Sequence, residues 1–270
     1  MTGQLIDLFI FAAMVTLVYV TGWFLVALAI KRNDVADVAW GMGFVTASLA
    51  AFIKTGNYSF TAILVTILVT IWGLRLSWHI GLRNSKKSED YRYKAWRDSW
   101  GKWFVLRTYF QVFLFQGFLM LLVVSPVFVI YTHATSGVYS LAIAGVLIWV
   151  FGFLFESIGD RQLKDFIANP KNKGHVMDKG LWQYTRHPNY FGEVTQWWGV
   201  GVIALTCSYG WLGLMGPAVI TFLIVKVSGV PLLEEKYKDN PEYQAYKRRT
   251  SVLIPLPRKK SSTPQSKFEQ

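Results

Sequence analysis

The amino-acid sequence predicts an all-α, polytopic membrane protein with about seven transmembrane helices, the N-terminus outside and the C-terminus cytoplasmic. Hydrophobic residues make up 53% of the 270 positions and charged residues only 16%, against about 25% in a typical soluble domain. The charged residues are concentrated in a few blocks between long apolar runs. A soluble domain needs a charged coat over its whole surface, so this distribution indicates a membrane protein.

Seven apolar runs are candidate membrane spans, since a spanning helix needs roughly 20 mostly apolar residues. The first run follows no basic segment and is too long for a signal-peptide core, so we expect it to be a retained helix. The sixth run is short, and six spans remain the alternative if the last two runs form one broken element. The runs lie near residues 5–30, 36–54, 59–80, 109–131, 138–158, 191–207 and 211–230.

The positions of Lys and Arg test this arrangement independently, because cytoplasmic loops carry an excess of basic residues. The loops after the second, fourth and sixth runs hold one basic residue, Lys54, and the other 27 of the 28 lie on the opposite side. The net charge of +12 is therefore mostly a topological signal, with anionic lipid or a phosphate-bearing cofactor as further uses. We expect a multi-pass protein of the inner or plasma membrane, if bacterial, and no nucleic-acid partner.

The densest set of polar groups lies in residues 156–199. The fifth span is expected to continue into the cytoplasm as a helix that presents Asp160 and Lys164 on one face, because they are four residues apart. Asn169-Pro170 is expected to end that helix, and a loop rich in Lys and Gly follows. Such a loop can also serve only as a topology determinant, so the spacing alone assigns no role to its lysines.

The next helix carries polar side chains into the membrane. Asn189, Glu193 and Trp197 recur at i, i+4 and i+8 and therefore share a face. A carboxylate and an amide inside a membrane helix are costly unless they have partners. Their presence predicts a polar cavity open to the cytoplasm, with a purely structural Asn189–Glu193 pair as the alternative. The single cysteine, Cys207, leaves no zinc-binding pattern, so no metal site is predicted.

A resemblance to a known family rests on this segment. The run GLWQYTRHPNYFGE over residues 180–193, with the preceding pattern D-x-Q-x-x-x-F-x-x-N-P over 160–170, resembles the steroid 5-alpha-reductase-like membrane proteins. The most similar branch is the bacterial and plant group called domain of unknown function 1295. Sterol reductases share a similar R-H-P-N-Y-x-G run, and isoprenylcysteine and phospholipid methyltransferases share a looser form of it. The resemblance covers roughly residues 30–257.

This resemblance implies a membrane-embedded reductase that takes NADPH from the cytoplasmic side and a lipid or steroid-like substrate from the bilayer. It implies one domain over residues 1–257, with 159–190 as the cytoplasmic cofactor-binding segment. No obligate protein partner is evident, and residues 258–270 are expected to form a disordered tail. The chain lacks a G-x-G-x-x-G loop after a strand, so a Rossmann site is not expected. The implied cofactor contacts are Asp160, Lys164, Tyr184, Arg186, His187, Asn189, Glu193 and Trp197.

The N-terminal half departs from the family pattern. Steroid reductases pair a Glu on the second helix with a Tyr on the third to polarise the enone carbonyl, and Asp37 and Trp72 stand nearest those positions. An indole N–H can form a hydrogen bond but cannot give up its proton as a phenol can. Asp37 could instead form a helix-capping pair with Asp34. The candidate catalytic residues are Asp37, Arg75 and His79, the last two one turn apart at the inner end of the third span, and Tyr93, with Tyr91 as the alternative to Tyr93.

The C-terminal region keeps a second function open. Methyltransferases of similar fold carry a Glu-rich, Tyr-bearing segment that contacts S-adenosylmethionine, and Glu234 lies in such a segment. We therefore add Glu234 to the predicted cofactor contacts and keep an S-adenosylmethionine-dependent lipid or isoprenoid methyltransferase as the alternative. A non-enzymatic lipid-binding protein is a third class. We expect Tyr243 and Tyr246 to lie on a solvated amphipathic helix.

Overall fold

The computed structural model describes residues 2–85, 87–89, 91–133 and 139–259. It is 81% helical and has no strands in these residues, which confirms the predicted all-α class. Only Thr185 and Ser251 form an isolated parallel bridge within the described part of the chain. The predicted tail falls, from residue 260 onward, outside the described residues.

Twelve α-helices lie in the described residues, and shorter helical turns connect several of them. The α-helices are α1 (Thr2–Ile30), α2 (Val35–Thr55), α3 (Phe60–Ser85), α4 (Tyr91–Trp100), α5 (Phe104–Arg107), α6 (Phe115–Val123), α7 (Ser125–Thr132), α8 (Tyr139–Ala168), α9 (Pro188–Ala204), α10 (Met215–Phe222), α11 (Val230–Lys236) and α12 (Pro241–Arg249). The 3₁₀ turns are Gly101–Trp103, Pro170–Asn172, Gly180–Gln183 and Gly210–Leu214, and the π-helical turns are Thr108–Leu114 and Leu223–Val227.

The helices confirm a multi-pass membrane protein with close to the predicted number of spans. The sixth predicted span corresponds to α9, whose 17 residues extend about 26 Å at 1.5 Å per residue, slightly less than the roughly 30 Å hydrocarbon layer. The direction in which the termini face stays a prediction. Six helical stretches of the described chain are long and apolar enough to cross a membrane: Gly3–Ile30, Val35–Thr55, Phe60–Ser85, Tyr93–Val123, Tyr139–Ala168 and Gly210–Lys236.

The fourth predicted span differs most from the helices observed. Helical structure begins at Tyr91, well before the predicted start, and continues to Val123. A new helix, α7, then begins with Pro126 in its first turn. Proline has no amide hydrogen and is tolerated only where no such hydrogen bond is needed, so it favours a helix start at this point.

The chain forms two compact units, which we describe separately. Unit 1 consists of Met1–Val146 and Trp198–Val219, and unit 2 consists of Leu147–Trp197 and Ile220–Gln270. In unit 1, α2 packs along both α1 and α3. All four candidate catalytic residues belong to unit 1, and all nine predicted cofactor contacts belong to unit 2.

In unit 1, two glycines bring the backbones of α2 and α3 into contact. A Cβ atom on Gly41 would meet the carbonyl oxygen of Gly73 at 2.5 Å, and one on Gly73 would meet that of Gly41 at 2.6 Å. The Ser77 hydroxyl donates to the Val38 carbonyl over 2.8 Å at the same crossing. Small residues at a helix interface are typical of membrane proteins, where close backbone approach strengthens packing. The crossing fixes Asp37, one turn before Gly41, relative to α3.

Unit 2 contains an equivalent crossing between α8 and α9. A Cβ atom on Gly152 would meet the Gly192 carbonyl oxygen at 2.7 Å, and one on Gly192 would meet the Glu156 backbone nitrogen at 2.5 Å. Asp160 lies two turns beyond Gly152 on α8, and Asn189 lies just before Gly192 on α9. The glycine pair therefore fixes the register in which these two polar side chains meet.

The close α2–α3 contact yields a stability prediction. Gly73→Val should lower the free energy of unfolding by about 1–3 kcal/mol, because the added methyl groups cannot fit against α2. Gly22→Val is the matched control, because a Cβ atom there would meet nothing within 4 Å, and its effect should stay within about 0.5 kcal/mol. Unfolding in detergent micelles measures both variants. Equal effects of the two substitutions would show that the crossing is not tightly packed.

Candidate functional site

Arg186 forms four side-chain hydrogen bonds within the described part of unit 2. Its Nε and Nη2 atoms donate to Glu234 Oε1 over 2.9 and 2.5 Å. Its Nη1 atom donates to the carbonyl oxygens of Lys247, over 3.1 Å, and Thr250, over 2.5 Å. Arg186 is only 8% exposed, and a buried charge is tolerated when such partners surround it. Each nitrogen of the guanidinium is therefore engaged by a protein acceptor.

Glu234 has two positively charged partners, Arg186 and Lys247. Its Oε2 atom lies 2.6 Å from Lys247 Nζ, while its Oε1 atom accepts from Arg186. His187 Nε2 lies 3.8 Å from Oε1, which is too long for a hydrogen bond. Glu234 thus joins α11 to α12 and to the turn before α9. Its predicted contact with a cofactor stays a prediction.

His187 is a buried ring at the start of α9. Its side chain stacks on Tyr190 with 5.4 Å between ring centroids, and its backbone N–H donates to Thr185 Oγ1 over 3.3 Å. Burial lowers the pKa of His187 below its ordinary value of 6.5, although the nearby Glu234 carboxylate acts in the opposite direction. The ring is therefore neutral at pH 7. Its Nε2 atom has no hydrogen-bond partner within the described residues.

Polar side chains bridge α8 and α9 on both sides of their glycine crossing. Asn189 Nδ2 donates to Asp160 Oδ1 over 3.2 Å. Gln196 Nε2 donates to Glu156 Oε2 over 2.5 Å, and both of these side chains are buried. The sequence did not single out Gln196 as a candidate. The signal that could have found it is its spacing, because it follows Asn189 by seven residues and Glu193 by three, and so shares their face.

The remaining predicted cofactor residues also belong to these segments of unit 2. Trp197 is buried on α9, and Glu193 is half-buried one turn before it. Lys164 is exposed on the last part of α8, and Tyr184 is exposed where the Gly180–Gln183 turn ends. No group of three or more potential metal ligands occurs in the part of the chain that the structure describes.

The C-terminal segment holds the loop before α9 in place. The Arg186 backbone N–H donates to the Ser251 carbonyl over 2.9 Å, and that of Leu256 donates to the Tyr184 carbonyl over 3.0 Å. Asp178 pairs with Arg249 at 2.6 Å and with Arg258 at 3.1 Å. These contacts stabilise the turn that presents Arg186 and His187.

The prediction of a solvated helix for Tyr243 and Tyr246 is wrong. Both side chains of α12 are buried, and burial raises the pKa of Tyr243 to about 12 and raises that of Tyr246 further. The Tyr246 hydroxyl donates to the carbonyl oxygens of Trp182, over 2.5 Å, and Thr185, over 3.3 Å. The loop before α9 covers this face of α12, so a tyrosine hydroxyl bonds its carbonyls in place of water.

In unit 1, two of the candidate catalytic residues meet. The Tyr93 hydroxyl donates to Asp37 Oδ1 over 2.9 Å, and Tyr93 is only 3% exposed. The phenol ring packs edge-on against Trp96. The sequence named each residue as a candidate but gave no sign that they form a pair, because 56 positions separate them.

A polar network fixes the elements that carry this pair. Arg32 makes two hydrogen bonds to Asp34, at 3.0 and 2.7 Å, and the Asn84 side chain donates to the Asp34 carbonyl. Arg97 on α4 binds Glu89 over 3.1 Å. Asp34 precedes α2 but its side chain forms no capping hydrogen bond to that helix. The capping alternative therefore fails for Asp34, whose carboxylate pairs with Arg32.

The other candidates of unit 1 lie on α3. Trp72, which stands near the family's tyrosine position, is buried and packs edge-on against Phe44 with ring centroids 5.3 Å apart. Arg75 and His79 are half-buried one turn apart on the same helix. Their roles stay predictions.

Fold and site together define a multi-pass helical membrane protein with a buried ionic cluster in one unit and a phenol–carboxylate pair in the other. The family model described as "Protein of unknown function (DUF1295)" matches residues 23–250. Because the match covers most of the chain, the protein belongs to this family. This confirms the family that the R-H-P-N-Y-x-G run predicted.

Two relatives are similar to part of the chain. An uncharacterized protein of Schizosaccharomyces pombe is 24% identical over 228 residues, which cover 71% of this chain and 62% of that protein. The 3-oxo-5-alpha-steroid 4-dehydrogenase 1 of Bos taurus is 27% identical over 118 residues, which cover 42% of this chain and 41% of that enzyme. The chain thus spans less than two thirds of either relative. No solved structure matches it significantly.

The Arg186 cluster yields a second stability prediction. Arg186→Ala should lower the free energy of unfolding by about 3–5 kcal/mol, because it removes a buried partner of Glu234 and leaves two carbonyl groups unsatisfied. Arg161→Ala is the control, since the Arg161 side chain is 83% exposed and lies 3.8 Å from Asp165. Its effect should stay within about 0.5 kcal/mol. Denaturation of both variants in the same detergent measures the difference, and a small loss for Arg186→Ala would contradict a buried ionic cluster.

Burial of His187 yields a pH prediction. Because the folded-state pKa lies below the ordinary value of 6.5, the unfolded chain binds the proton more readily than the folded one. Stability should therefore be unaffected by this group above about pH 6.5 and should decline as the pH falls from there towards the folded-state pKa. His187→Asn should remove this part of the decline. His175→Asn, at a ring that is 64% exposed, should not. Unfolding midpoints between pH 5 and 8 test both, and identical profiles for wild type and His187→Asn would refute the assignment.

Proposed function

We propose that the protein is a membrane-embedded, NADPH-dependent reductase of an activated carbon–carbon double bond in a lipid or steroid-like substrate. Family membership and similarity to the bovine steroid dehydrogenase support the reductase class. The observation that carries the chemistry is the 2.9 Å hydrogen bond between Tyr93 and Asp37. Trp72 stands near the position at which the family has its tyrosine, so a phenol must come from another position. Tyr93 is a buried phenol that can take this role.

A buried phenol beside a carboxyl group suits proton donation to a substrate carbonyl. In the proposed step, the Tyr93 hydroxyl turns towards the carbonyl oxygen of the substrate and gives up its proton as negative charge develops there. The resulting enol then tautomerises to the saturated ketone: a proton from solvent adds to its alpha carbon, and its hydroxyl proton returns to the phenolate oxygen of Tyr93, which Asp37 keeps oriented. General acid catalysis of this kind contributes about 10²–10⁴-fold to a rate.

The polar groups of unit 2 fit a dinucleotide. Bound NADPH would supply a hydride to the carbon beta to the carbonyl. Asn189 and Asp160 offer an amide and a carboxylate suited to ribose hydroxyls or the nicotinamide amide. The buried Nε2 atom of His187, which lacks a hydrogen-bond partner among the described residues, is available to a ligand. Exposed Lys164 offers a positive charge for a phosphate.

Arg186 takes a different role in this proposal from the one that its sequence position implies. Its guanidinium nitrogens are already bonded to Glu234 and to two backbone carbonyls. We therefore assign it to holding His187 and Asn189 in place, with the phosphates left to exposed lysines. This assignment accounts for an arginine directly before the histidine whose three guanidinium nitrogens are all bonded within the protein.

The methyltransferase alternative is not favoured. It rests on Glu234 as a contact for S-adenosylmethionine, but both carboxylate oxygens of Glu234 are paired with Arg186 and Lys247. The relative whose name states an activity is a steroid dehydrogenase.

The proton-donor assignment predicts a selective loss of turnover. Tyr93→Phe should leave the dissociation constant for NADPH unchanged and lower the turnover of an α,β-unsaturated 3-oxo steroid, or of the lipid substrate once known, by about 10²-fold or more. Tyr109→Phe is the matched control, because it removes a phenol that bonds Thr21 in the same unit. Fluorescence titration measures NADPH binding, and NADPH consumption measures turnover. Equal turnover in the two variants would exclude Tyr93 as the acid.

The cofactor assignment has its own test. Asn189→Ala should weaken NADPH binding by about tenfold or more while the unfolding midpoint stays close to that of Thr195→Ala, a control on the same helix. Purified protein that binds S-adenosylmethionine and fails to bind NADPH would overturn the proposed function.

A further inference from the structure

Unit 1 contains an open cavity with both polar and apolar lining at the end of α2 farthest from Asp37, and Asp7 and Lys54 on its wall are exposed. Its volume is about 390 Å³, within the lower range of small-ligand sites. The first turns of α1 and the last turns of α2 and α7 surround it. Lys54 and Asp37 are 17 positions apart on α2, or about 26 Å along the helix, so this cavity is separate from the Tyr93–Asp37 pair. The polar residues that line it are Gln4, Asp7, Lys54, Thr55, Tyr131 and Thr132.

Two opposite charges line this cavity without neutralising each other. Neither Asp7 nor Lys54 forms an ion pair with any residue that the structure describes. The Lys54 ammonium instead lies 5.5 Å from the centre of the Phe11 ring. Asp7 lies near the beginning of one span and Lys54 near the end of the next. Both charges therefore lie at the level where a bilayer presents its headgroups.

Lys54 is also the exception to the sorting of charge along the chain. It is the one basic residue that the sequence assigns to the side with few Lys and Arg. A basic residue there is contrary to the usual charge asymmetry of membrane proteins. An anionic group bound by its ammonium would account for its position. Asp7, on α1, supplies the opposite charge to the lining of this cavity.

We propose that this cavity binds a zwitterionic phosphoethanolamine headgroup. Lys54 would pair with the phosphate, and Asp7 would accept hydrogen bonds from the primary ammonium group. Gln4, with a side-chain carbonyl, supplies a further acceptor. The lining favours a primary amine over a trimethylammonium group, which needs free aromatic faces. The cavity's aromatic residue, Tyr131, is engaged already, since its hydroxyl bonds Thr66 at 2.5 Å and its ring packs on Phe52.

The test measures thermal unfolding of the full chain in detergent with added lipid and needs no NADPH, so its outcome is independent of the proposed reductase activity. Phosphatidylethanolamine should raise the unfolding midpoint in a concentration-dependent way, and phosphatidylcholine and phosphatidylglycerol should raise it less. Soluble glycerophosphoethanolamine distinguishes a headgroup in a free, soluble compound from a headgroup carried by a membrane lipid. Competition by this compound supports the headgroup chemistry itself, and binding of the lipid alone supports a bilayer lipid as the ligand.

Variants show whether the effect arises at this cavity. Asp7→Asn and Lys54→Gln should each weaken phosphatidylethanolamine binding by about tenfold. Asp98→Asn and Lys94→Gln, which make the same charge changes at exposed positions of α4, should have no effect. The double variant Asp7→Lys with Lys54→Asp should recover part of the affinity for phosphatidylethanolamine. Such a recovery would show that the single variants lose binding through charge and not through unfolding. Equal stabilisation by the three lipids, or unchanged binding in Asp7→Asn and Lys54→Gln, would overturn the proposal.

Discussion

The organisation of unit 2 depends on burial of the Arg186 guanidinium. A charge that is almost removed from solvent must find acceptors inside the protein. Those acceptors lie 48 to 64 positions further along the chain, on Glu234, Lys247 and Thr250. The segments that carry them must therefore fold onto the turn before α9. This constraint sets the orientation in which His187 and Asn189 leave that turn, and thus the polar face of α9 on which the proposed cofactor site relies.

Sequence reasoning succeeded where a local pattern carries the information. Apolar runs predicted the helices because a bilayer requires long apolar segments, whereas the polar cavity that the spacing of Asn189 and Glu193 predicts stays a prediction. For Asp160 and Asn189, the sequence indicated only that two neighbouring segments carry polar groups. It did not indicate that these two side chains bond each other. The R-H-P-N-Y-x-G run identified the family correctly.

The features that the sequence did not predict depend on contacts between distant parts of the chain, which no local pattern records. Tyr246 has the spacing of a surface residue on a short amphipathic helix, yet the loop at Trp182 covers it. The Tyr93–Asp37 hydrogen bond depends on where α4 returns against α2, and the glycine pairs at the helix crossings act only in three dimensions. The glycine crossings arise because helices in a membrane associate through close packing and hydrogen bonds rather than through differences in hydrophobicity.

Unit 1 provides a buried phenol–carboxyl pair suited to proton donation, and unit 2 provides polar groups suited to a dinucleotide. The central claim, that the protein reduces a lipid with NADPH, is tested most directly by following the transferred hydrogen. Membranes that contain the protein would be incubated with NADPH deuterated at the transferable position, and the extracted lipids analysed by mass spectrometry. A lipid that gains one deuterium and one hydrogen, and does so only weakly with Tyr93→Phe, is the result we predict. Transfer of a labelled methyl group from S-adenosylmethionine, with no deuterium entering any lipid, would contradict it.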